Sequence, residues 1–279
     1  MNGTLEFTLL IAAGSFLAGL LGSLTGLGGG VIIVPLLTLV FRVDIRYAIG
    51  ASLVSVIATS SGAAAAFLKE GFSNIRVGMF LEVATTVGAL CGAYLATRIP
   101  TAAIAIIFGI VLLYSAWTSI KPVTEVPIQE TEGRFARLLK LDGTYPTPEG
   151  IRAYHVRGVP LGFGLMYVAG ALSGLLGIGS GAVKVLAMDR TMGIPFKVST
   201  TTSNFMIGVT AAASAGIYLR RGYLDPGLAM PVMLGVLLGA LVGARILREA
   251  KVRTLRIVFS IAIAAVAIEM IFKGVRGNL

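Results

Sequence analysis

Four glycines in five residues, Gly26-Leu27-Gly28-Gly29-Gly30, interrupt one of the most apolar parts of the chain, between residues 5–24 and 31–41. A glycine inside a helix costs about 1 kcal/mol relative to alanine, so the cluster predicts that one helix stops and another starts there. The cluster occurs again as Gly177-Ile178-Gly179-Ser180-Gly181. Sliding the chain by the 151 residues that separate Gly26 from Gly177 brings two long segments into gapless register. Ala18-Gly19 falls on Ala169-Gly170, Ser52 on Ser203, Thr59 on Thr210, Gly71 on Gly222, Gly88-Ala89 on Gly239-Ala240 and Gly92-Ala93 on Gly243-Ala244. Arg46 falls on Lys197 and Phe67 on Tyr218, so chemistry persists where identity does not. The chain is a tandem duplication.

Hydrophobic residues make up 56% of the chain and charged residues 13%, and the charges sit in short spacers between apolar blocks. That pattern, with blocks near the roughly 20 residues needed to cross a bilayer, predicts an all-α polytopic membrane protein. The net charge of +10 is scattered over segment ends rather than gathered into a stripe, which argues against nucleic acid as a partner. The one cysteine, Cys91, excludes a disulfide within the chain, and the one histidine, His155, reads as a solvated loop residue. No His pair, Cys-His pair or acid cluster with metal-ligand spacing occurs, so no enzyme, metal or cofactor is expected. Residues 1–6 carry an acid and no base, so the first apolar block reads as a retained span and not a cleaved leader.

Apolar segments cover residues 5–24, 31–41, 47–68, 77–97 and 101–120, and again 160–176, 182–192, 197–219, 224–247 and 254–272. The 11-residue segments are only about 17 Å long as helix, so each is either short and buried or half of a re-entrant hairpin. Five segments per half is odd. The second copy then enters the membrane from the opposite side, which predicts two inverted-topology repeats. Alternation places most Lys and Arg on one side, leaving Arg42, Arg46, Arg98, Arg220, Arg221, Lys273 and Arg276 on the other. By the positive-inside bias, the richer side is cytoplasmic. The expected organisation is a first transmembrane repeat over residues 1–120, a cytoplasmic linker over 121–157 and a second repeat over 158–279. Within the linker, residues 134–140 form an amphipathic fragment that suits either a short surface helix or a solvated tether.

Small residues at four-residue spacing, Gly88 with Gly92 and the series Gly235, Gly239, Gly243, read as close helix packing. The two glycine clusters carry a second meaning. A helix restarted at membrane depth presents unpaired N–H groups and a positive dipole end, a place for an anion, where irregular backbone lines a cavity. The segment that follows each cluster is rich in hydroxyls: Ser52, Ser55, Thr59, Ser60 and Ser61, then Ser199, Thr200, Thr201, Thr202, Ser203, Asn204 and Thr210. Some will bond to their own helix, yet the run suits a face that lines an oxyanion. Lys184 falls opposite Ile33 of the first copy and, at a cost of roughly 2.5–3.5 kcal/mol near the bilayer centre, needs a cavity, an anion, a partner or a route to the interface. Glu82 and Glu269 are the other charges inside apolar blocks; Glu82 is the candidate for ion coupling, and Glu269 stands four residues before Lys273.

Gly-Leu-Gly-Gly-Gly followed by Val-Ile-Ile-Val-Pro, a Ser/Thr-rich span, Gly-Ile-Gly-Ser-Gly and the run Thr-Thr-Thr-Ser-Asn together resemble the TauE/SafE, or sulfite exporter, family of membrane permeases. The resemblance covers nearly all of the chain outside residues 121–157. It implies transport of a small sulfur-containing anion, sulfite or an organosulfonate, across a bacterial or archaeal inner membrane. The matching positions are Gly26, Gly28, Gly29, Gly30, Pro35, Gly177, Gly179, Gly181, Thr202, Ser203 and Asn204. Ser180, where the first copy has Gly29, and the long charged linker depart from the common pattern.

The expected activity is secondary transport by alternating access about a midplane site. Its substrate-binding residues would be Gly26, Gly28, Gly29, Gly30, Ser52, Gly177, Gly179, Ser180, Gly181, Lys184, Thr202, Ser203 and Asn204, with Glu82 for a coupling ion, H+ or Na+. A passive anion channel and a membrane-embedded assembly subunit are the rival readings. Partners are the anion and the lipid bilayer, with homo-oligomerisation left open; the location is the cell inner membrane, multi-pass.

Overall fold

A computed structural model describes residues 2–25, 29–69, 72–120, 133–147, 150–246 and 252–277. Gly26 and Gly28 lie outside the described residues. Among the described residues, ten helical segments form the two halves, as the apolar blocks predict. The first half has α1 (Asn2–Thr25), α2 (Gly30–Pro35), α3 (Ile45–Lys69), α4 (Ile75–Ala96) and α5 (Thr101–Ile120). After α6 (Arg134–Leu138), the second half has α7 (Val159–Leu176), α8 (Gly181–Leu186), α9 (Phe196–Arg220), α10 (Pro226–Ile246) and α11 (Val252–Arg276). Five of the described helices, α1, α4, α5, α7 and α10, are long and apolar enough to cross a membrane.

The repeat extends to fine detail. α2 widens into a π-helical turn at Leu36–Val40, and α8 does so at Ala187–Thr191, positions that differ by the same 151 residues. Pro35 has no N–H to give to an i→i−4 bond, which suits the widening in the first copy; the second copy widens without a proline.

Helix packing is reciprocal. α1 lies along α10 and α4 along α7, so the first helix of each half packs on the fourth of the other. The spaced glycines make these contacts. A Cβ on Gly19 would strike the backbone of Val236, and one on Gly170 the backbone of Thr85, which is the equivalent pair. Gly88 and Gly92 meet Tyr167 and Ala171 in the same way, as Gly239 meets Phe16. The small-residue spacing therefore marks packing seams, as expected.

Equivalent helices meet antiparallel. Along α3 and α9, Gly50 touches Tyr223 beyond the end of α9 while Ser60 faces Gly208. Along α5 and α11, Gly109 lies against Ala267 and Ile271, whereas Gly274 lies against Ala102 and Ile106.

The short segments turn out to be halves of hairpins. Phe7 stacks edge-on to Phe41 at 5.8 Å between ring centroids, so the start of α1 and the end of the α2 segment are at one level. Gly29 comes back to Gly19. In the second copy the Arg157 N–H donates to Met192 O at 3.0 Å, and Ser180 Oγ to Ala169 O at 2.6 Å. Each of α2 and α8 thus returns to the side where α1 or α7 began.

The linker is more structured than a solvated tether, because part of it is buried. Strands β1 (Gly143–Thr147) and β2 (Gly150–Tyr154) form an antiparallel hairpin. Ala136, Leu141, Tyr154 and Val156 join a core with Val77, Leu81, Met192, Val198 and Met206. His155 pairs with Asp142 at 3.4 Å and remains partly exposed, as a loop residue.

Candidate functional site

The glycine breaks bring the two halves together at their tips. α7 ends on Gly177, whose φ of +68° and N–H bond to Ser173 O close the last turn. Gly179 follows at φ +72° and Ser180 at +44°, and α8 restarts at Gly181. Glycine adopts this left-handed backbone without a Cβ clash, which is why the break is rich in it. In the first copy α1 ends at Thr25 and α2 restarts at Gly30, with Gly29 O accepting from Ile32 and Ile33 N–H.

Gly30 approaches so closely that a Cβ there would lie 2.9 Å from Ser52 Oγ and 3.0 Å from Gly177 O. Ser52 Oγ donates to Gly177 O at 2.8 Å, tying α3 of one half to the hairpin tip of the other. Its repeat mate Ser203 stays within its own half, its hydroxyl 3.5 Å from Gly181 O. Val56 and Ile207, another equivalent pair, close over Gly179 from α3 and α9.

Gly29, Gly30, Ser52, Gly177, Gly179, Ser180, Gly181 and Ser203 therefore gather at one place, the meeting of the tips with α3 and α9. Thr202 does not join them. Its Oγ1 accepts from the Asn74 N–H at 3.0 Å, and its methyl faces Gly78 at the start of α4. Asn204 is half-buried. Most of the remaining hydroxyls turn back onto their own helix: Ser55 to Ser52 O, Thr59 to Ser55 O, Thr200 to Phe196 O, Thr201 to Lys197 O and Ser214 to Thr210 O. A Ser/Thr-rich membrane helix is thus largely self-satisfied, and only a few hydroxyls remain to reach across.

Thr210, outside the binding set expected from the sequence, reaches across to two buried charges. Lys184, fully buried in α8, donates from Nζ to Thr210 Oγ1 at 2.6 Å. Thr210 Oγ1 lies 2.8 Å from Glu82 Oε1 and 2.9 Å from Met206 O. Thr86 Oγ1 donates to the same Glu82 oxygen at 3.1 Å. Glu82 is itself buried, and its other oxygen, Oε2, has no hydrogen-bond partner among the described residues. Lys184 does not snorkel to an interface; a hydroxyl joins it to a buried carboxylate. The repeat supplies the scaffold but not the charge, since the equivalent positions are Ile33, Thr59 and Met233. The recurrence of Thr59 as Thr210 was the available signal for this hydroxyl.

Glu269 pairs with Lys273 at 3.3 Å, both partly exposed, away from this cluster. Among the described residues no group of His, Cys, Asp and Glu is arranged to hold a metal ion.

Broken helices meeting inside a bundle of apolar spans, with a buried lysine one turn into the restarted helix, define a multi-pass membrane protein built like a transporter. The chain matches the family described as Sulfite exporter TauE/SafE over residues 11–270 and belongs to that family of membrane transporters, which are not enzymes. It is similar to the "Probable membrane transporter protein YunE" of Bacillus subtilis (strain 168), 27% identical over 278 residues that cover 97% of this chain and 99% of the relative. It is also similar to YdhB of the same organism, a "Probable membrane transporter protein" 28% identical over 85% of this chain and 89% of the relative. The archaeal "Probable membrane transporter protein MJ0441" of Methanocaldococcus jannaschii is 26% identical over 94% of each chain. No solved structure matches the chain.

Proposed function

We propose that the chain is a secondary transporter that carries a small sulfur-containing anion, sulfite or an organosulfonate, across the cell inner membrane by alternating access. The anion sits between the hairpin tips, held by N–H groups freed at the glycine breaks and by Ser203, with Ser52 fixing the tips against one another through Gly177 O and Lys184 supplying positive charge. Gly26 and Gly28, outside the described residues, are assigned to the same anion site on their sequence alone. Thr202 holds the wall through Asn74, Asn204 contributes an amide from the same helix, and Glu82 serves the coupling ion.

The observation that carries this reading is the contact of Gly30 and Ser52 with Gly177, which joins the two helix breaks across the repeats. The antiparallel crossing of α3 with α9 and of α5 with α11 supports inverted repeats, and with them a rocking motion of one half against the other. The side richer in Lys and Arg, the linker included, then faces the cytoplasm.

The test is uptake and efflux in proteoliposomes against sulfite, thiosulfate, sulfate, sulfoacetate and taurine, with proton and sodium gradients imposed separately. A carrier saturates and shows countertransport; a channel does neither. Gly179→Leu, which puts a large side chain at φ +72° beside Ile207, should abolish flux. Normal sulfite flux in that variant would move the site elsewhere.

A further inference from the structure

Two deficits face each other across one hydroxyl. Lys184 is an ammonium with three N–H groups and, among the described residues, one side-chain acceptor, Thr210 Oγ1. Glu82 is a carboxylate with one oxygen held by Thr210 and Thr86 and the other, Oε2, without a hydrogen-bond partner among the described residues. An ammonium with donors to spare can take oxygens of an anion, and an orphaned carboxylate oxygen in a buried site is a place for a proton.

We propose that Glu82, Thr210 and Lys184 form a proton-coupling site in which a monovalent anion and a proton bind together and move in the same direction, with one proton for each anion. This rests on the transport reading above and names the coupling ion of the same site. Without substrate the cluster is neutral, Lys184 positive and Glu82 negative, with Thr210 accepting from the first and donating to the second. An anion that engages Lys184 adds a negative charge to a site of low dielectric, which Glu82 offsets by taking a proton on Oε2. The loaded cluster is neutral again. Thr210 then turns its own proton from Glu82 Oε1 to Met206 O, an acceptor already at 2.9 Å. Both forms that cross the membrane are uncharged, which avoids carrying a net charge through the bilayer centre.

Among the described residues, the neighbouring helices bring no competing charge close to Glu82. On α8 the ionisable group beside it is Lys184; Asp189 lies farther along that segment, next to Arg190. α9 presents Thr210, and Lys197 at its start lies over the Phe72 ring. From α7, Tyr167 faces Cys91, more than two turns beyond Glu82 on α4. From the linker, Tyr154 is engaged by Asn74 before α4 begins. On α4 itself, Arg76 is exposed.

The test uses the full-length protein in proteoliposomes holding a trapped pH dye, with methanesulfonate, isethionate and sulfoacetate as probes. Their sulfonates stay ionised near neutral pH, so a proton that enters did not arrive on that group. With a monovalent probe, wild type should acidify the lumen by one proton per anion, respond to a pH gradient and ignore membrane voltage. Glu82→Gln, nearly isosteric, should bring the proton-to-anion ratio to zero and make flux sensitive to voltage, because the empty carrier then returns with the Lys184 charge. Thr210→Val should lose coupling, and Thr210→Ser should restore it. Anion flux in wild type without proton entry, or unchanged proton entry in Glu82→Gln, overturns the coupling alone. Absence of flux for every probe and for sulfite in wild type overturns the transport reading, and the coupling with it.

Discussion

Ser52 Oγ reaches across the two halves of the molecule to Gly177 O at 2.8 Å, whereas Ser203, its repeat mate, stands 3.5 Å from Gly181 O in its own half. One duplicated hydroxyl has become a cross-repeat tie and the other a marginal contact. Ser52→Ala should therefore lower thermal stability in detergent by about 1 kcal/mol, the net worth of one hydrogen bond, and slow transport by loosening the tip. Ser203→Ala should change stability less. Equal losses from the two variants would remove the asymmetry.

Glycines set the spacing of two equivalent helix seams. A methyl group at Gly170 or Gly239 would enter the backbone of Thr85 or Phe16, which cannot rotate away. Gly170→Ala and Gly239→Ala should each remove most folded protein from the membrane, read as the monodisperse peak on size-exclusion chromatography. Gly216→Ala, where a Cβ meets nothing within 4 Å, should not, and should add up to about 1 kcal/mol through helix propensity.

Lys184 and Glu82 compensate one another through Thr210, so their substitutions should not add. Lys184→Met leaves a buried carboxylate without its counter-charge, and Glu82→Gln leaves a buried ammonium. Each should destabilise, and the double variant should recover much of the loss, with a coupling energy on the order of 1–3 kcal/mol in thermal melts. Lys184→Met and the double variant should both lose anion transport whatever their stability. Additive melts would place the two charges out of contact.

Tyr154 lies in the linker outside the spans. Burial pushes its hydroxyl up to about 12; the hydrogen bond from Asn74 opposes the shift and the nearby Asp142 charge adds to it. A phenol in the unfolded chain ionises near about pH 10. The folded value is the higher one, so the stability this buried phenol contributes is intact below about pH 10 and is lost as pH rises through about 12. The phenolate absorbance of wild type minus Tyr154→Phe should have its midpoint near the upper value. A midpoint near the lower one would mean that the hairpin does not bury this ring.

Several features were legible in the chain because they depend on local composition and spacing. A bilayer admits backbone only where its hydrogen bonds are closed, so apolar blocks become helices whatever their neighbours. The segment expected over residues 31–41 is the helix Gly30–Pro35 continued to Val40, and that over 182–192 is Gly181–Leu186 continued to Thr191. Gly177 and Gly179 break the helix where their lack of a Cβ allows it. The seams at Gly88, Gly92 and Gly239 followed from spacing alone.

What the sequence could not reveal is which buried polar group meets which. Thr202 and Ser203 are neighbours in the chain, yet one holds Asn74 at the mouth of α4 and the other faces the tip. Glu82 and Thr210 stand 128 residues apart and meet only because α4 and α9 pack together. The part-buried linker hairpin is likewise a product of packing, with Tyr154 closing on Asn74. The sequence by itself determined a duplicated membrane bundle with two helix breaks, since hydrophobicity and glycine act locally. Only the tertiary structure decided that Lys184, Thr210 and Glu82 meet, since the partners of a buried charge are set by long-range packing.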